Sequence, residues 1–154
     1  MKTIHARELT VSQKAEVFKL WNSEYPKSLS FGSIKDMDGF MDGLEEKTNL
    51  LLVQDETTLA WMGVFTRQQE RWFSILVNGE YQGKGLGKML LDEAKAVEAS
   101  LNGWVLDHNR DKKIDGDPYY SPLSFYLKNE FDVYPEVRFE QNGISAVKIN
   151  WTKE

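Results

Sequence analysis

One stretch limits the folding options of this chain more than any other: Arg71 to Leu101, RWFSILVNGEYQGKGLGKMLLDEAKAVEASL. Phe73–Val77 is apolar apart from Ser74 and rich in strand formers, so it reads as a buried strand. Asn78-Gly79 breaks it. Gln82-Gly83-Lys84-Gly85-Leu86-Gly87 then places three glycines in six residues. Beyond it, Leu86, Leu90, Ala94, Val97 and Leu101 recur at three- and four-residue steps, with Asp92, Glu93, Lys95 and Glu98 on the other side. That spacing predicts a helix with one buried stripe.

A strand that feeds glycines into a helix start has a physical use. The first four N–H groups of a helix have no partner inside it, and they carry roughly half a positive charge. Glycines lack Cβ, so an anion can come close to the backbone. Lys84 and Lys88 oppose the helix dipole, a cost of about 0.3–1 kcal/mol each when exposed, which a bound phosphate would offset. The alternative is a tight turn that only packs a helix on a sheet. The spacing is neither GxGxxG nor GxxxxGK followed by Ser or Thr, so dinucleotide and P-loop fingerprints both fail.

Gln82-x-x-Gly85-x-Gly87 instead resembles the acyl-CoA pyrophosphate loop of the GNAT superfamily of N-acetyltransferases: Arg or Gln, two residues, Gly, one residue, then Gly or Ala. Val77-Asn78-Gly79-Glu80-Tyr81 resembles that family's strand exit, where proline often stands at the place of Gly79. Phe125-Tyr126-Leu127-Lys128-Asn129-Glu130-Phe131 resembles its second motif, F-Y-x-K-x-G-F, with Glu130 in place of the usual glycine. The resemblance covers Leu50 to Trp151 and, more loosely, the first fifty residues. It implies an α/β fold, a mixed and mostly antiparallel central sheet of six or seven strands flanked by about four helices. It implies acetyl transfer from acetyl-CoA to a primary amine by direct attack in a ternary complex. A catalytically silent acyl-CoA-binding module of the same fold is the other reading.

The same resemblance implies the site. Gln82, Gly83, Lys84, Gly85, Leu86, Gly87 and Lys88 would hold the pyrophosphate. Ile75, Leu76 and Val77 would pair with the pantetheine arm and polarise the thioester carbonyl, through backbone contacts at Leu76 and Val77. Asn109 resembles an asparagine that holds CoA, although the charged insertion Asp111–Asp117 blurs the alignment. Tyr126 stands where a tyrosine protonates the leaving thiolate; its other role is a buried aromatic with a satisfied hydroxyl. The general base stays open among His108, Glu70, Glu80 and water. Trp21, Tyr25, Leu29 and Phe31 would line the acceptor pocket, or equally the core.

Composition narrows the rest. The chain has 154 residues, 41% hydrophobic and 28% charged, which suits one domain spanning 1–154. It has no cysteine, so thiolate nucleophiles, disulfides and cysteine-based zinc sites are excluded. A net charge of −5 argues against nucleic acid as a partner. No apolar run reaches the roughly 20 residues of a membrane helix, and MKTIHARELT has no apolar signal core, so a cytoplasmic protein is expected. Asp107-x-Asn109-x-Asp111 imitates the start of an EF-hand loop, but Lys112 and Pro118 stand where glycine and glutamate belong, so no metal is expected and the segment reads as a solvated loop. A homodimer is left open.

Along the chain, Thr3–Leu9 reads as a strand. Thr10 caps a helix from Val11 to Trp21, with Val11, Ala15, Phe18 and Trp21 facing inward. A weaker helix lies around Ile34–Met41. Leu50–Gln54 and Leu59–Arg67 form a hairpin about Asp55-Glu56-Thr57, and the second strand, apolar on both faces, belongs in mid-sheet. Trp104–Leu106 should be a strand parallel to Phe73–Val77. Pro122–Glu130 is a short helix, and Phe131–Tyr134 pairs with Ile144–Trp151 about Asn142-Gly143.

Overall fold

The computed structural model describes residues 1–154. Seven strands form one sheet in the order β1-β2-β3-β4-β5-β7-β6: β1 (Lys2–Ala6), β2 (Glu45–Gln54), β3 (Thr57–Arg67), β4 (Glu70–Val77), β5 (Ser100–Leu106), β6 (Asp132–Gln141) and β7 (Ile144–Thr152). Helices α1 (Val11–Glu24), α2 (Ile34–Asp42), α3 (Leu86–Val97) and α4 (Leu123–Lys128) join them. Every strand pair is antiparallel except β4 and β5.

Local chemistry explains most boundaries. Thr10 and Gln13 form a reciprocal capping box, with bonds of 2.9 and 3.1 Å, and α1 stops at Tyr25 because Pro26 follows. Ser33 accepts from the Asp36 amide and caps α2. Three hairpins turn on pairs of positive-φ residues: Asp55-Glu56, Gln68-Gln69 and Asn142-Gly143. That backbone matches the twist of the flanking strands. Only the last pair has the residues that favour it.

Several expectations shift. Helix α1 buries Val17, Leu20 and Trp21, whereas Val11 is 86% exposed and Ala15 faces water. It docks through its last two turns onto Met37, Met41, Leu51 and Trp61, so the face is chosen by that contact and not by the first turn. Helix α3 ends at Val97, itself 81% exposed, and Leu101 belongs to β5. The buried stripe is Leu86, Leu90, Leu91 and Ala94. Glu98 ends the helix by taking the Arg71 guanidinium through two bonds of 2.9 and 3.0 Å. Strand β5 begins at Ser100, four residues before Trp104, because Asn102 is buried and bonded to the Arg71 carbonyl and to Asn150. Strand β2 starts at Glu45, five residues before Leu50, through a bulge between Glu45 and Thr48. Strand β6 continues past Tyr134 to Gln141 after an irregularity around Pro135, which an edge strand tolerates.

The sheet has two covered faces. Phe73, Leu90, Leu101, Val105, Tyr126 and Ile149 pack under α3 and α4, and Val17, Trp21, Met37, Leu51, Trp61 and Leu76 pack under α1 and α2. Strand β3 is buried from Thr58 to Phe65, as its two-sided apolar pattern requires. No helix is long and apolar enough to cross a membrane.

Candidate active site

The site begins where β4 and β5 part. Strand β3 keeps register with β4 from Arg67–Glu70 to Ala60–Val77, but β4 pairs with β5 only at Trp72–Asn102. Past that pair the strands separate and the β5 side of β4 is open. The Asn78 amide bonds the Leu59 carbonyl at 2.8 Å, so alternation directs the backbone groups of Leu76 to Trp61 on β3. The open edge therefore offers the backbone of Ile75 and Val77. The backbone of Leu76, one of the two positions expected to offer it, faces β3 and not the gap. The Val77 carbonyl already accepts from Gln82 Nε2 at 3.0 Å.

The glycine loop sits at the mouth of this gap. Gly83 and Gly85 have φ of +78° and +84°, and a Cβ at either would meet nothing within 4 Å. Gly85 is the N-cap of α3 and provides no side-chain cap, and the first turn holds no acidic residue. The amides of the six residues Gly83 to Lys88 have no acceptor in the protein. Gly87 has a different reason: a Cβ there would lie 3.0 Å from Phe125 Cζ, so it lets α4 approach. Lys84 lies over the Tyr81 ring and Lys88 pairs with Asp92 at 2.7 Å.

Between these parts runs a cavity of about 1060 Å³, at the upper end of ligand-site sizes. Ile75, Leu76, Val77, Gln82, Gly83, Gly85, Leu86 and Gly87 line one end of it, and Tyr126 lines it from α4. Trp21, Tyr25, Leu29 and Phe31 line it as well, although Trp21 also belongs to the core. Lys84 and Lys88 stand on the rim outside this wall. Asn109 also stands apart, its side-chain oxygen accepting from the Ser121 amide at 2.7 Å.

Tyr126 is buried, packed edge-on against Phe125 and Phe131, and its hydroxyl makes no hydrogen bond within the protein. Burial, with the Tyr25 and Tyr119 hydroxyls as lesser causes, pushes its pKa well above the ordinary phenol value. Burial raises Tyr25 to about 12, with Ser74 opposing, and raises Tyr119 further. Three neutral phenols therefore face one cavity. None is a base at neutral pH, and all can donate a proton.

The three side chains considered as bases lie elsewhere. His108 faces the Ser145 carbonyl with Nε2 at 3.1 Å and accepts from the Arg110 amide at Nδ1, so both ring nitrogens are engaged. Glu70 pairs with Lys148 at the far end of β4, and Glu80 is exposed outside the cavity. Glu24, which sequence reasoning missed, does line the cavity. Its carboxylate accepts from the Gly79 amide at 3.0 Å and from Lys113 at 3.2 Å. A Cβ on Gly79 would lie 3.3 Å from that carboxylate, which explains glycine at the strand exit. No local motif marks Glu24; it is the end of an ordinary helix.

The 107–122 segment is also more than a solvated loop. Asp107 takes Arg138 and Asn109 takes the Ser121 amide, whereas the buried Asp111 Oδ2 has no hydrogen-bond partner and lies 3.8 Å from His108 Nδ1. The Lys27 amide bonds the Lys112 carbonyl, and Tyr119 and Tyr120 reach the cavity wall. The insertion closes one side of the site.

Comparison with known proteins bears on the family and the fold. The family model described as acetyltransferase (GNAT) domain matches residues 29–153. Among solved structures, an aminoglycoside 6'-N-acetyltransferase complexed with coenzyme A superposes with a TM-score of 0.72 at 14% identity, covering 99% of this chain and 97% of that one. An acyl-CoA N-acyltransferase from Pseudomonas aeruginosa gives 0.71 at 13% identity, covering 97% of each chain. The ribosomal-protein-S18-alanine N-acetyltransferase from Escherichia coli gives 0.66 at 17%, covering 98% of this chain and 94% of that one. At such identities the likeness is one of fold. A search of curated proteins gives no match.

Proposed function

Because the chain belongs to the GNAT acetyltransferase family and is an acyltransferase by that membership, we propose that it transfers an acetyl group from acetyl-CoA to a primary amine within a ternary complex. The observation that carries this reading is the meeting of unpartnered amides from Gly83 to Lys88 with the open edge of β4 and the unbonded Tyr126 hydroxyl in one cavity.

The free amides at the start of α3 grip the diphosphate, where the helix dipole favours negative charge. Lys84 and Lys88 add charge from the rim. The open edge of β4 takes the pantetheine arm as a further strand would, and its N–H groups at Ile75 and Val77 face the thioester carbonyl as negative charge develops there. Tyr126 holds its proton at neutral pH and delivers it to the departing thiolate. Water in the open cleft removes the proton from the attacking amine. Asn109 supports the coenzyme only if its bond to Ser121 opens.

The test pairs calorimetry with turnover. Acetyl-CoA binds the native chain, and Gly85→Val, which puts a side chain into the open space before the helix, weakens that binding at least tenfold. Tyr126→Phe keeps the affinity and lowers kcat. Undiminished acetyl-CoA binding by Gly85→Val overturns the site assignment.

A further inference from the structure

The cavity has a second half, beyond the part assigned to the coenzyme, and its walls are mainly aromatic, with Ser28, Ser74 and the unpartnered Trp72 indole N–H among them. Trp72 and Trp104 stack with centroids 5.2 Å apart and planes at 26°. Phe65 is the cross-strand partner of Trp72, and Phe31 and Phe139 stand around them on the same wall. Only two ionised side chains reach the cavity, Glu24 and Arg67. Glu24 is occupied by the Gly79 amide and Lys113. Arg67 lies 5.0 Å from the Phe65 ring centroid, and the arginine ion pairs of the chain are those of Arg71 and Arg138, not of Arg67.

From this, and resting on the acetyltransferase reading, we propose that the acceptor is a primary amine on an apolar body of aromatic size, carrying no second positive charge. The reacting nitrogen must come to the open edge at Ile75 and Val77. Whatever it is attached to then lies along the wall toward Trp72, which is three residues from Ile75 and five from Val77, roughly 10–17 Å down the strand. An aryl group there leaves water and meets a largely aromatic wall, although the Trp72 ring itself is already covered by Trp104 and Lys148. A polyamine or an amino sugar brings further ammonium groups instead. Burying each without a carboxylate is costly, and the one carboxylate on the wall is already paired. Aromatic faces also attract cations, so the rings alone would not refuse a polyamine. The unpaired Arg67 does, because it sets like charge against like at the place the distal ammonium would occupy.

The experiment follows CoA thiol release from acetyl-CoA with 2-phenylethylamine, tryptamine, spermidine and kanamycin as probes. Calorimetry with acetyl-CoA alone runs beside it. The expected kcat/KM is at least tenfold higher for the two arylethylamines. Arg67→Glu, at an exposed position that tolerates substitution, should raise kcat/KM for spermidine at least threefold and leave acetyl-CoA affinity unchanged. Spermidine or kanamycin matching the arylethylamines on the native chain overturns the inference, as does an unmoved spermidine ratio in Arg67→Glu. Acetyl-CoA binding with no arylethylamine acetylated overturns the acceptor class and leaves the coenzyme site standing. No acetyl-CoA binding removes the acetyltransferase reading, and this inference falls with it.

Discussion

Tyr126 keeps its proton because charge is expensive in an apolar pocket, so it is no base at neutral pH, and the proposed function gives it the role of donor. Replacing it by Phe removes the oxygen and preserves the ring packing against Phe73, Phe125 and Phe131. A general acid contributes about 10²–10⁴ in rate. Tyr126→Phe should therefore lower kcat by about a hundredfold with acetyl-CoA affinity unchanged within twofold; steady-state kinetics and calorimetry check both. Gly103 and Gly85 differ in what an added Cβ would cost. A Cβ on Gly103 would meet the Phe73 ring at 3.0 Å inside the core. Gly103→Ala should cost about 1–3 kcal/mol in urea unfolding through overpacking. Gly85→Ala should cost about 1 kcal/mol through its left-handed backbone, without any clash.

The element that makes the site is the gap between β4 and β5, and a side chain on α1 holds its edge. Glu24 ties the end of α1 to the Gly79 amide at the strand exit and, through Lys113, to the insertion. Glu24→Gln keeps a polar oxygen for Gly79 but loses the charge that holds Lys113. It should raise KM for the amine several-fold while acetyl-CoA affinity, which the proposed function assigns to the loop amides, changes little. Equal changes in both constants would count against a role at the acceptor side. The cap of α1 gives a control away from the site: Thr10→Ala should cost about 1 kcal/mol of stability and leave the kinetic constants alone. At this scale the strand–loop–helix unit was legible because its periodicities and its glycines are local signals. The early start of β5 was not, since Ser100-Leu101-Asn102-Gly103 lacks strand composition and is held by long-range bonds from Asn102.

For the whole molecule, three phenols that face the cavity should lower stability at alkaline pH. Tyr25 has a folded pKa of about 12 against 10 in the free side chain, and Tyr119 and Tyr126 are also raised. Their stabilisation is complete below pH 10. Above it the unfolded chain releases protons that the folded chain keeps, so stability falls as pH rises, by roughly 2–3 kcal/mol for Tyr25 alone once pH exceeds 12. Denaturant midpoints between pH 8 and 12 test this, and a flat profile would refute it. Acetyl-CoA at a hundred times its dissociation constant should add about 2.7 kcal/mol, a rise in Tm of about 5–10 °C. The sequence by itself determined the class of fold, the glycine loop and the tyrosine motif, because hydrophobic period, turn chemistry and helix-end electrostatics act over a few residues. Tertiary structure alone decided which face α1 buries, the parting of β4 from β5, the engagement of His108 and the aromatic wall of the cavity. Those depend on groups such as Glu24 and Lys113, or Trp72 and Trp104, that are distant in sequence and acquire their meaning only when the fold brings them together.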